Sequence, residues 1–316
     1  MPDPPPGRAP VATVAITTRN RRDDLRRALA SAVSQEGDLE LLVVDDGSTD
    51  QTAEMVREEF PQVRLERFAT SAGLIARRND LAALASAPVL VSLDDDAEFT
   101  APDAVLRALE PFADPRVGAV AIPYVERGRG ETQVRQRSPV AGALYATGPY
   151  IGTAHALRID VFQRLGGYRA SLVRNTEELD YWTRMLDAGY VTALGWGPEI
   201  LHHESPKRVV ADVVYYDCRN NLLHAWRNVP MPYAAARAAK VVAFALAVVA
   251  RRTGHPGAVL RGLAAAVGAR GERRPVSRSA YRLGREIRYR GPVALDRLGL
   301  PAPAAPPAAP AAPPSP

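Results

Sequence analysis

The chain has 316 residues, enough for one large or two modest domains, and a hydrophobic fraction of 47% can supply a sizeable core. Its net charge of +5 and isoelectric point near 9.5 indicate an anionic partner, such as nucleotide phosphates, an acidic lipid surface or nucleic acid. The single cysteine, Cys218, excludes an internal disulfide and a cysteine-rich metal site. Residues 1–10 are rich in proline and lack the apolar segment of a secretory signal, so we expect a disordered start and a cytoplasmic location.

Apolar runs alternate with amphipathic segments along the first 125 residues of the chain. Strands are predicted at 11–18, 39–44, 63–68, 89–93 and 117–125. Helices are predicted between them, at 20–32, after Ser48, at 73–86 and at 102–112, and Ser48 with Gln51 matches a capping box for the second helix. This alternation is typical of βαβ units, so the sequence predicts an α/β fold with a mostly parallel central sheet flanked by helices.

The alternation stops at 126–139, a basic segment that contains glycine. We interpret this segment either as a solvated connection or as a lid that meets phosphates. Beyond it the pattern predicts helices at 159–165 and 175–188, a short strand at 190–193, and a helical region at 212–250 that is broken near Pro230 and Pro232.

Acidic residues follow two of the predicted strands. Asp45 and Asp46 end the second strand, and Asp94, Asp95 and Asp96 end the fourth. Ligands of open α/β sheets bind at the carboxyl ends of the strands. Three adjacent carboxylates repel one another unless a cation lies among them, and oxygen-rich clusters suit Mg²⁺ or Mn²⁺, ions that also hold phosphates. The alternative is a solvated acidic turn.

A third acidic cluster and a pair of histidines come later in the chain. Glu177, Glu178 and Asp180 begin the predicted helix at 175–188, where acids also complement the helix dipole. His202 and His203 are adjacent, and neighbouring residues of an extended segment point in opposite directions. A histidine in this position is therefore either a core or surface residue or a ligand beside the acids.

Taken together, the order and spacing of these motifs resemble those of the family 2 glycosyltransferases of the GT-A fold, over roughly residues 11–232. The motifs that carry the resemblance are residues 14–21, 43–50, Gly73 with Arg78 and Asn79, 93–96, 166–168, 177–180 with 188–190, and 219–220. The resemblance implies a GT-A (Rossmann-like) nucleotide-diphospho-sugar transferase fold, a nucleotide-sugar donor, a divalent metal and inversion at the anomeric carbon of the sugar.

The resemblance also implies which residues surround the nucleotide. Thr17, Arg19 and Asn20 follow the first strand and are expected to edge the nucleotide pocket. Asp46, with Asp45 beside it, corresponds to the acid that meets the nucleoside, since a carboxylate can accept from base N–H groups or ribose hydroxyls.

Arg78 and Asn79 resemble the Arg-Asn pair that lines the donor site of the family. Arg78 is expected to face the diphosphate as a fixed cation. The alternative is a helix-surface arginine paired with Asp80 or Glu110.

For the metal, the resemblance implies Asp96 as a direct ligand and Asp94 as a contact of the ribose or of a metal-bound water. Asp95 lies between them and is counted with the substrate-binding residues. His202 or His203 resembles the histidine that completes the metal site in many members, and the sequence leaves the choice open. The ion expected is Mg²⁺ or Mn²⁺.

For the catalytic base, the resemblance implies the second acid of a pair at a helix start, which is Glu178 here. The family has aspartate at this position, so the longer glutamate is a departure and leaves Glu177 as an alternative. Asp180 is expected to orient this helix start and is counted with the substrate-binding residues. Three more departures, Ser71, Arg77 and Leu81, lie around the expected donor sugar.

The chain is accordingly divided into a nucleotide-sugar-binding half at 11–125, an acceptor-binding half at 126–232, a basic helical extension at 233–298 and a disordered Pro/Ala-rich tail at 299–316. The longest apolar stretch without a charge is 241–250, shorter than the roughly 20 residues of a membrane-spanning helix. We expect the extension to pack on the enzyme or to lie at an anionic membrane interface.

The sequence thus predicts an inverting, metal-dependent glycosyltransferase for cell-envelope polysaccharide synthesis. UDP- and dTDP-sugars are the favoured donors, and the acceptor is a glycan, lipid-linked or small-molecule hydroxyl at the inner face of the membrane or in the cytoplasm. A nucleotidyltransferase would need a glycine-rich phosphate loop, which residues 18–21 are not. A non-catalytic sugar-nucleotide binder or membrane scaffold is the other alternative. Nucleic-acid binding is not expected, because the late basic residues lack interleaved aromatics.

Overall fold

The computed structural model describes residues 9–127, 133–203, 209–301 and 303. The predicted disordered start and Pro/Ala-rich tail lie almost entirely outside the described residues, as does the glycine-containing part of the basic segment at 128–132. The structure therefore tests the predictions for the remainder of the chain.

The described residues form two sheets and a set of flanking helices. The strands are β1 Ala12–Thr18, β2 Leu39–Asp45, β3 Arg64–Arg67, β4 Val89–Leu93, β5 Ala97–Phe99, β6 Val117–Ala121, β7 Tyr124–Arg127, β8 Tyr145–Thr147, β9 Ala154–Arg158, β10 Val191–Leu194, β11 Ile200–His203 and β12 Val293–Ala294. The α-helices are α1 Arg22–Val33, α2 Thr52–Glu59, α3 Leu74–Leu84, α4 Ala104–Leu109, α5 Ile159–Arg164, α6 Glu177–Asp187, α7 Val210–Asn228, α8 Tyr233–Phe244, α9 Ala250–Thr253, α10 Pro256–Gly268 and α11 Arg278–Arg290. Short 3-10 turns cover Glu110–Ala113, Ala170–Leu172 and Leu295–Leu298, and Ala245–Val249 is a π-helical stretch between α8 and α9.

The large sheet has the strand order β12-β8-β10-β6-β9-β4-β1-β2-β3. Strands β3, β2, β1 and β4 are parallel, β9 runs against its neighbours β4 and β6, and β6 pairs parallel with β10. All five residues of β4 and of β6 are buried, as expected for strands covered on both faces. The predicted α/β fold with a largely parallel sheet is confirmed.

The predicted strand at 117–125 is in fact two strands in different sheets. β6 belongs to the large sheet, whereas β7 pairs with β11 in a small sheet of order β5-β11-β7. The chain changes sheet at Ile122 and Pro123, where Ile122 N–H donates to the Ala154 carbonyl and Pro123 has no N–H to continue a ladder. The small sheet was not predicted, because its strands have only three or four residues.

The capping box predicted at Ser48 and Gln51 is wrong. Helix α2 begins at Thr52, and Gln51 precedes it with a left-handed φ of 64° and no side-chain cap. The Ser48 hydroxyl instead accepts from the Asn20 N–H at 2.9 Å, and the Asp50 carboxylate accepts from the Thr52 N–H at 3.3 Å. Ser48 therefore ties the turn after β2 to the turn after β1.

The segment after Pro232 returns to the first part of the chain. Strand β12 pairs with β8 at the edge of the large sheet. Helix α11 packs on α6, where a Cβ at Gly284 would lie 3.1 Å from Trp182 and Leu186. Helix α10 packs closely on α7, since a Cβ at Gly262 would lie 2.4 Å from the Tyr215 carbonyl oxygen. Removing this segment would therefore expose core surface.

One helical stretch revises the expectation about membrane spans. Among the described residues, Tyr233–Thr253 is the one helix that is long and apolar enough to cross a membrane, with 21 residues and a mean hydropathy of 1.7. Only 17% of its most apolar 18-residue segment is buried. The expectation that the longest apolar stretch is too short to span a membrane is wrong. The helix continues past Lys240 and Arg251, the charges that bound the stretch 241–250.

Candidate active site

A cavity of about 350 Å³ lies at the carboxyl ends of β1, β2 and β4. It is lined by Thr17, Thr18, Arg19, Arg21, Asp46, Ser71, Gly73, Leu74, Arg77, Asp94, Asp95, Asp96, Arg174 and His202. These strands end side by side because they are parallel, so residues from distant parts of the sequence meet here. Seven of the residues predicted for the site line this cavity: Thr17, Arg19, Asp46, Asp94, Asp95, Asp96 and His202.

A larger cavity, of about 600 Å³, is lined by Arg169, Arg184 and Arg227 among others, and by none of the predicted site residues. Arg184 donates to backbone carbonyls of Leu165 and Gly167, and Arg227 donates to backbone carbonyls of residues 269 and 270. These arginines hold chain segments together, so we assign the functional site to the smaller cavity.

A group suited to a metal ion lies on one wall of the cavity. Asp94, Asp96 and His202 each offer one ligand atom, and these atoms lie within 4.8 Å of one another. His202 Nε2 is 3.3 Å from Asp96 Oδ1, and its buried Nδ1 has no hydrogen-bond partner. Two carboxylate oxygens and an imidazole nitrogen are a donor set that fits Mn²⁺ or Mg²⁺. Strand β11 brings His202 here by pairing with Ala97 of β5.

Arg21 lies against the same carboxylates and was not predicted. Its Nη1 is 2.6 Å from Asp96 Oδ2 and 3.4 Å from Asp95 Oδ1. Burial raises the pKa of Asp96, but the hydrogen bond from His202 and the charge of Arg21 outweigh it, so the pKa lies below the ordinary value. Burial raises the pKa of Asp95 to about 7, against the opposing charge of Arg21. Asp95 also accepts from the Thr18 hydroxyl at 2.9 Å.

His203, the other candidate ligand, lies outside the metal group. Its Nε2 is 2.6 Å from Glu98 Oε1, on the face of β11 opposite to His202. The alternation of side chains along the strand thus separates the two histidines, and only His202 lies beside the acids.

Asp46, in one wall of the cavity, accepts hydrogen bonds from four residues. Its carboxylate accepts from the Ser71 hydroxyl at 2.5 Å, from the N–H groups of Ala72 at 2.8 Å and Gly73 at 3.0 Å, and from Arg77 Nε at 2.7 Å. Burial opposes ionisation, but these donors hold the pKa of Asp46 below the ordinary value. Both oxygens are therefore engaged by the chain itself, and Asp46 fixes the turn that precedes α3.

Arg78 connects the metal group with the acids of α6. It is buried, and its Nη2 is 2.8 Å from Asp94 Oδ1, whereas its Nη1 is 3.2 Å from Glu177 Oε1 and 3.7 Å from Glu178 Oε1. It also donates to the Gly152 carbonyl at 3.2 Å. The alternative of a surface arginine paired with Asp80 is wrong, because the neighbouring Arg77 makes that pair. Arg78 lies behind Asp94 and does not line the cavity.

Glu177 and Glu178 differ in their access to solvent. The Glu177 side chain is 4% exposed and that of Glu178 is 20% exposed. Burial raises the pKa of both groups, and for Glu178 the charge of Glu177 raises it further, while Arg78 opposes the shift. Glu178 is therefore the more exposed acid of this pair, and neither acid is among the residues that line the cavity.

Two predicted nucleotide contacts have structural partners instead. Asn20 has a left-handed φ of 54°, and its side chain accepts from the Thr49 N–H at 2.7 Å. Asp45 is fully buried and accepts from the Ser48 N–H at 2.8 Å, with Arg67 Nε at 3.5 Å. Neither residue lines the cavity.

Asn79 and Asp180 likewise lie away from the cavity. The Asn79 amide pairs with the backbone of Tyr168, donating to its carbonyl at 2.8 Å and accepting from its N–H at 2.9 Å. Asp180 is 1% exposed and accepts from Asn228 at 2.7 Å, with Arg169 and Arg184 as its ion-pair partners. The expectation that Asp180 orients the start of α6 agrees with these contacts, but its expected place among the substrate-binding residues does not.

The sequence matches one known protein family and is similar to parts of individual proteins. The sequence profile of glycosyl transferase family 2 matches residues 13–179. The succinoglycan biosynthesis protein ExoU of Rhizobium meliloti is 34% identical over 89 residues, which are 27% of this chain and 26% of that protein. Validoxylamine A glucosyltransferase of Streptomyces hygroscopicus subsp. jinggangensis is 35% identical over 119 residues, 36% of this chain and 28% of that protein. The matches thus span about a quarter of the length of these relatives.

Solved structures show the same fold. The mannosyltransferase PcManGT of Pyrobaculum calidifontis, solved with GDP-Man and Mn²⁺, is 25% identical with a TM-score of 0.56, over 89% of this chain and 80% of that one. S. aureus TarS 1–349, solved with UDP, is 15% identical with a TM-score of 0.55, over 76% of this chain and 73% of that one. The architecture is therefore the GT-A fold with additional C-terminal helices.

The close approach at Gly152 gives the first testable prediction. A Cβ at this position would lie 2.6 Å from Glu178 Oε1 and 2.7 Å from Arg78 Nη1. These are ends of side chains, so Gly152→Ala should displace them and lower the catalytic rate, and the melting temperature should also fall because Arg78 is buried and paired. Gly148→Ala is the matched control, because a Cβ there meets only Arg288, at 3.9 Å. Equal rates for the two variants would show that Glu178 and Arg78 tolerate displacement.

Proposed function

The chain belongs to glycosyl transferase family 2 and is a glycosyltransferase, and we propose that it is an inverting, metal-dependent enzyme that transfers a sugar from a nucleotide-diphospho-sugar to a hydroxyl acceptor. The observation that best supports this proposal is the contact of Arg78 with Asp94 on one side and with Glu177 and Glu178 on the other. One guanidinium thus contacts both a residue of the proposed metal group and the more exposed of the two acids. Membership of the family decides against the nucleotidyltransferase and scaffold alternatives.

On the donor side, Asp94, Asp96 and His202 are the proposed ligands of Mn²⁺ or Mg²⁺. The ion, when bound, acts as a Lewis acid on the leaving diphosphate. Arg19, Arg21 and Arg174 line the same cavity and supply further positive charge for the phosphates. Thr17 and Asp95 complete the proposed donor wall. The mannosyltransferase structure named above contains GDP-Man, so a GDP-sugar is a candidate beside the UDP- and dTDP-sugars expected from the sequence.

On the acceptor side, Glu178 is the proposed base. Its carboxylate takes the proton of the acceptor hydroxyl as that oxygen bonds to the anomeric carbon, and the bond from this carbon to the diphosphate oxygen breaks. The electron pair leaves with the nucleoside diphosphate, and attack opposite to the leaving group inverts the carbon. Glu178 is preferred to Glu177 because its side chain is more exposed. Arg78 favours the ionised form of both acids, against burial.

The acceptor and its location are proposed from the C-terminal helices. Residues 218–271 contain eight arginines and lysines and no acid. Exposed apolar side chains in the same region are Trp226, Met231, Phe244, Leu246, Leu260 and Val267. Apolar surface flanked by bases suits the interface of an anionic membrane, where each base contributes about 1 kcal/mol. We therefore propose peripheral binding at the inner membrane face, with a lipid-linked or cell-envelope glycan as acceptor.

The helix Tyr233–Thr253 is proposed to lie in this interface and not to cross the bilayer. Helix α8 follows directly from α7, and α10, after the same helix, packs back on α7. Both ends are thus attached to one body. A crossing would place these ends on opposite sides of about 30 Å of hydrocarbon.

The base assignment predicts the effect of one substitution. Glu178→Gln keeps the size of the side chain but cannot take a proton, so we expect the transfer rate to fall about 100- to 10,000-fold while donor binding is retained. Glu177→Gln is the matched control and should lose less. The rate is measured as nucleoside diphosphate release that depends on acceptor. A larger loss in Glu177→Gln would move the base to Glu177.

The same assignment predicts the pH dependence of the wild-type enzyme. A base works in its ionised form, and a raised pKa means that the ionised fraction grows only as the pH rises through that higher value. The transfer rate should therefore increase with pH along an acidic limb whose midpoint lies above the ordinary glutamate value of 4.5. A rate that is constant from pH 5 to 8 would contradict this assignment.

The metal assignment predicts nucleotide-dependent stabilisation. A ligand that binds only the folded state stabilises it by about 2.7 kcal/mol at a hundredfold excess over its Kd. We expect at least one of UDP, dTDP, GDP and CDP to raise the melting temperature with Mn²⁺ present and not with EDTA. Asp96→Asn should abolish the shift, whereas Glu98→Gln, which affects the His203 pair, should keep it. An equal shift with EDTA would refute metal-dependent donor binding.

The membrane proposal predicts salt-sensitive vesicle binding. The full chain should sediment with vesicles that contain phosphatidylglycerol, less so at high salt, and not with phosphatidylcholine alone. Phe244→Glu should weaken sedimentation, whereas Val140→Glu, an exposed valine outside these helices, should not. Point variants are used because truncation would remove β12 and α11 from the core. Equal binding by both variants would show that the helices are not the contact surface.

A further inference from the structure

The loop before α6 has an unusual backbone. Val173, Asn175 and Thr176 have left-handed φ values of 64°, 63° and 73°. Val173 has ψ −48°, and the Arg174 N–H donates to the Leu172 carbonyl at 2.7 Å, so Val173 is the centre of a γ-turn. This conformation is rare, and it is unfavourable for a β-branched residue. Such strained positions persist only where surrounding contacts impose them.

This loop positions two parts of the proposed active site. Arg174 lines the donor cavity, and Glu177 and Glu178 follow the loop as the first residues of α6. Thr176 precedes the helix without a side-chain capping bond. The place of the two acids therefore depends on the conformation of the loop and not on a cap of the helix.

Asn220 of α7 makes the contacts that hold this loop. It is fully buried, and its Nδ2 lies 2.9 Å from the carbonyl oxygen of Leu172, 2.6 Å from that of Arg174 and 3.0 Å from that of Asn175. Its Oδ1 accepts from Arg219 Nη1 at 2.8 Å, which fixes the orientation of the amide towards the loop.

Arg219 and Arg227 of the same helix contact Ser171, the residue before those that Asn220 contacts. Both terminal nitrogens of Arg219 lie 3.1 Å from the Ser171 carbonyl oxygen, and Arg227 Nη1 lies 3.0 Å from the Ser171 hydroxyl. The loop from 171 to 175 is thus attached to one face of α7 through its carbonyl groups. Of these contacts, the Asn220 amide is the one that spans the γ-turn.

We propose that Asn220 is a positioning residue, which imposes the strained conformation of residues 172–176 and thereby places Arg174 and Glu178 in the active site. The proposal deepens the proposed function and rests on it for the role of Glu178. Without the amide donors the loop can relax to negative φ values, and the start of α6 moves with it. A displacement of about 1 Å at a reacting group can cost on the order of a hundredfold in rate.

The test uses Asn220→Asp in the full-length chain. The carboxylate has the size of the amide but no donor, and it faces three carbonyl oxygens. We expect kcat per folded molecule to fall on the order of a hundredfold. The affinity for nucleoside diphosphate with Mn²⁺ should fall by a much smaller factor, because Arg174 is displaced but Asp94, Asp96 and His202 lie on other elements. Hydrogen exchange should accelerate at the amides of residues 173–177 and remain unchanged in β1.

Asn221→Asp is the matched control, since the Asn221 amide donates only to Asp217 within the same helix, at 3.0 Å. Asn220→Ser retains one donor and should give an intermediate rate, which serves if the aspartate variant does not fold. A kcat of either Asn220 variant within twofold of the control, or unchanged exchange at 173–177, would overturn the proposal. An inactive wild type with accelerated exchange in the variant would refute the proposed function and leave the role of Asn220 in the loop supported.

Discussion

The site depends on one buried cation. Arg78 comes from α3, and its guanidinium contacts Asp94 at the end of β4 and the two glutamates at the start of α6. Burial alone would lower the pKa of Arg78, but the three carboxylates raise it, so the group is a permanent charge. A buried ion is tolerated only when it is paired, and the same holds for the acids around it. This shared charge joins the proposed donor side of the site to its proposed acceptor side.

The geometry around Arg78 also explains the glutamate at position 178, where the family pattern has aspartate. The longer side chain of Glu178 reaches Gly152, where a Cβ would lie 2.6 Å from Glu178 Oε1. The absence of a side chain at Gly152 therefore leaves room for the extra methylene. The Gly152 carbonyl accepts from Arg78 in the same place. The glutamate at position 178 therefore depends on the glycine 26 residues earlier. The sequence alone does not show that these two residues are in contact.

The sequence predicted the parts of the site that follow from strand ends. The α/β order and the carboxylates after β2 and β4 could be read from apolar runs that stop at acids. The direction of neighbouring side chains could not: Asp45 and Asn79 turn into the protein, and only one of the two histidines faces the acids. Arg21 and Arg174 were missed because arginines on loops have no periodic signal. The small sheet was missed because three- and four-residue strands are too short for one.

The hydrogen bonds of Asp46 bear on how a nucleotide base could be recognised. An ionised carboxylate has about four acceptor positions, and Ser71, Ala72, Gly73 and Arg77 already donate to this one. Two of these donors, Ser71 and Arg77, are departures from the family pattern. The described lining of the cavity contains no phenylalanine, tyrosine or tryptophan for a base to stack on. We therefore infer that the proposed donor is held more through its diphosphate, by the proposed metal group and the cavity arginines, than through its base.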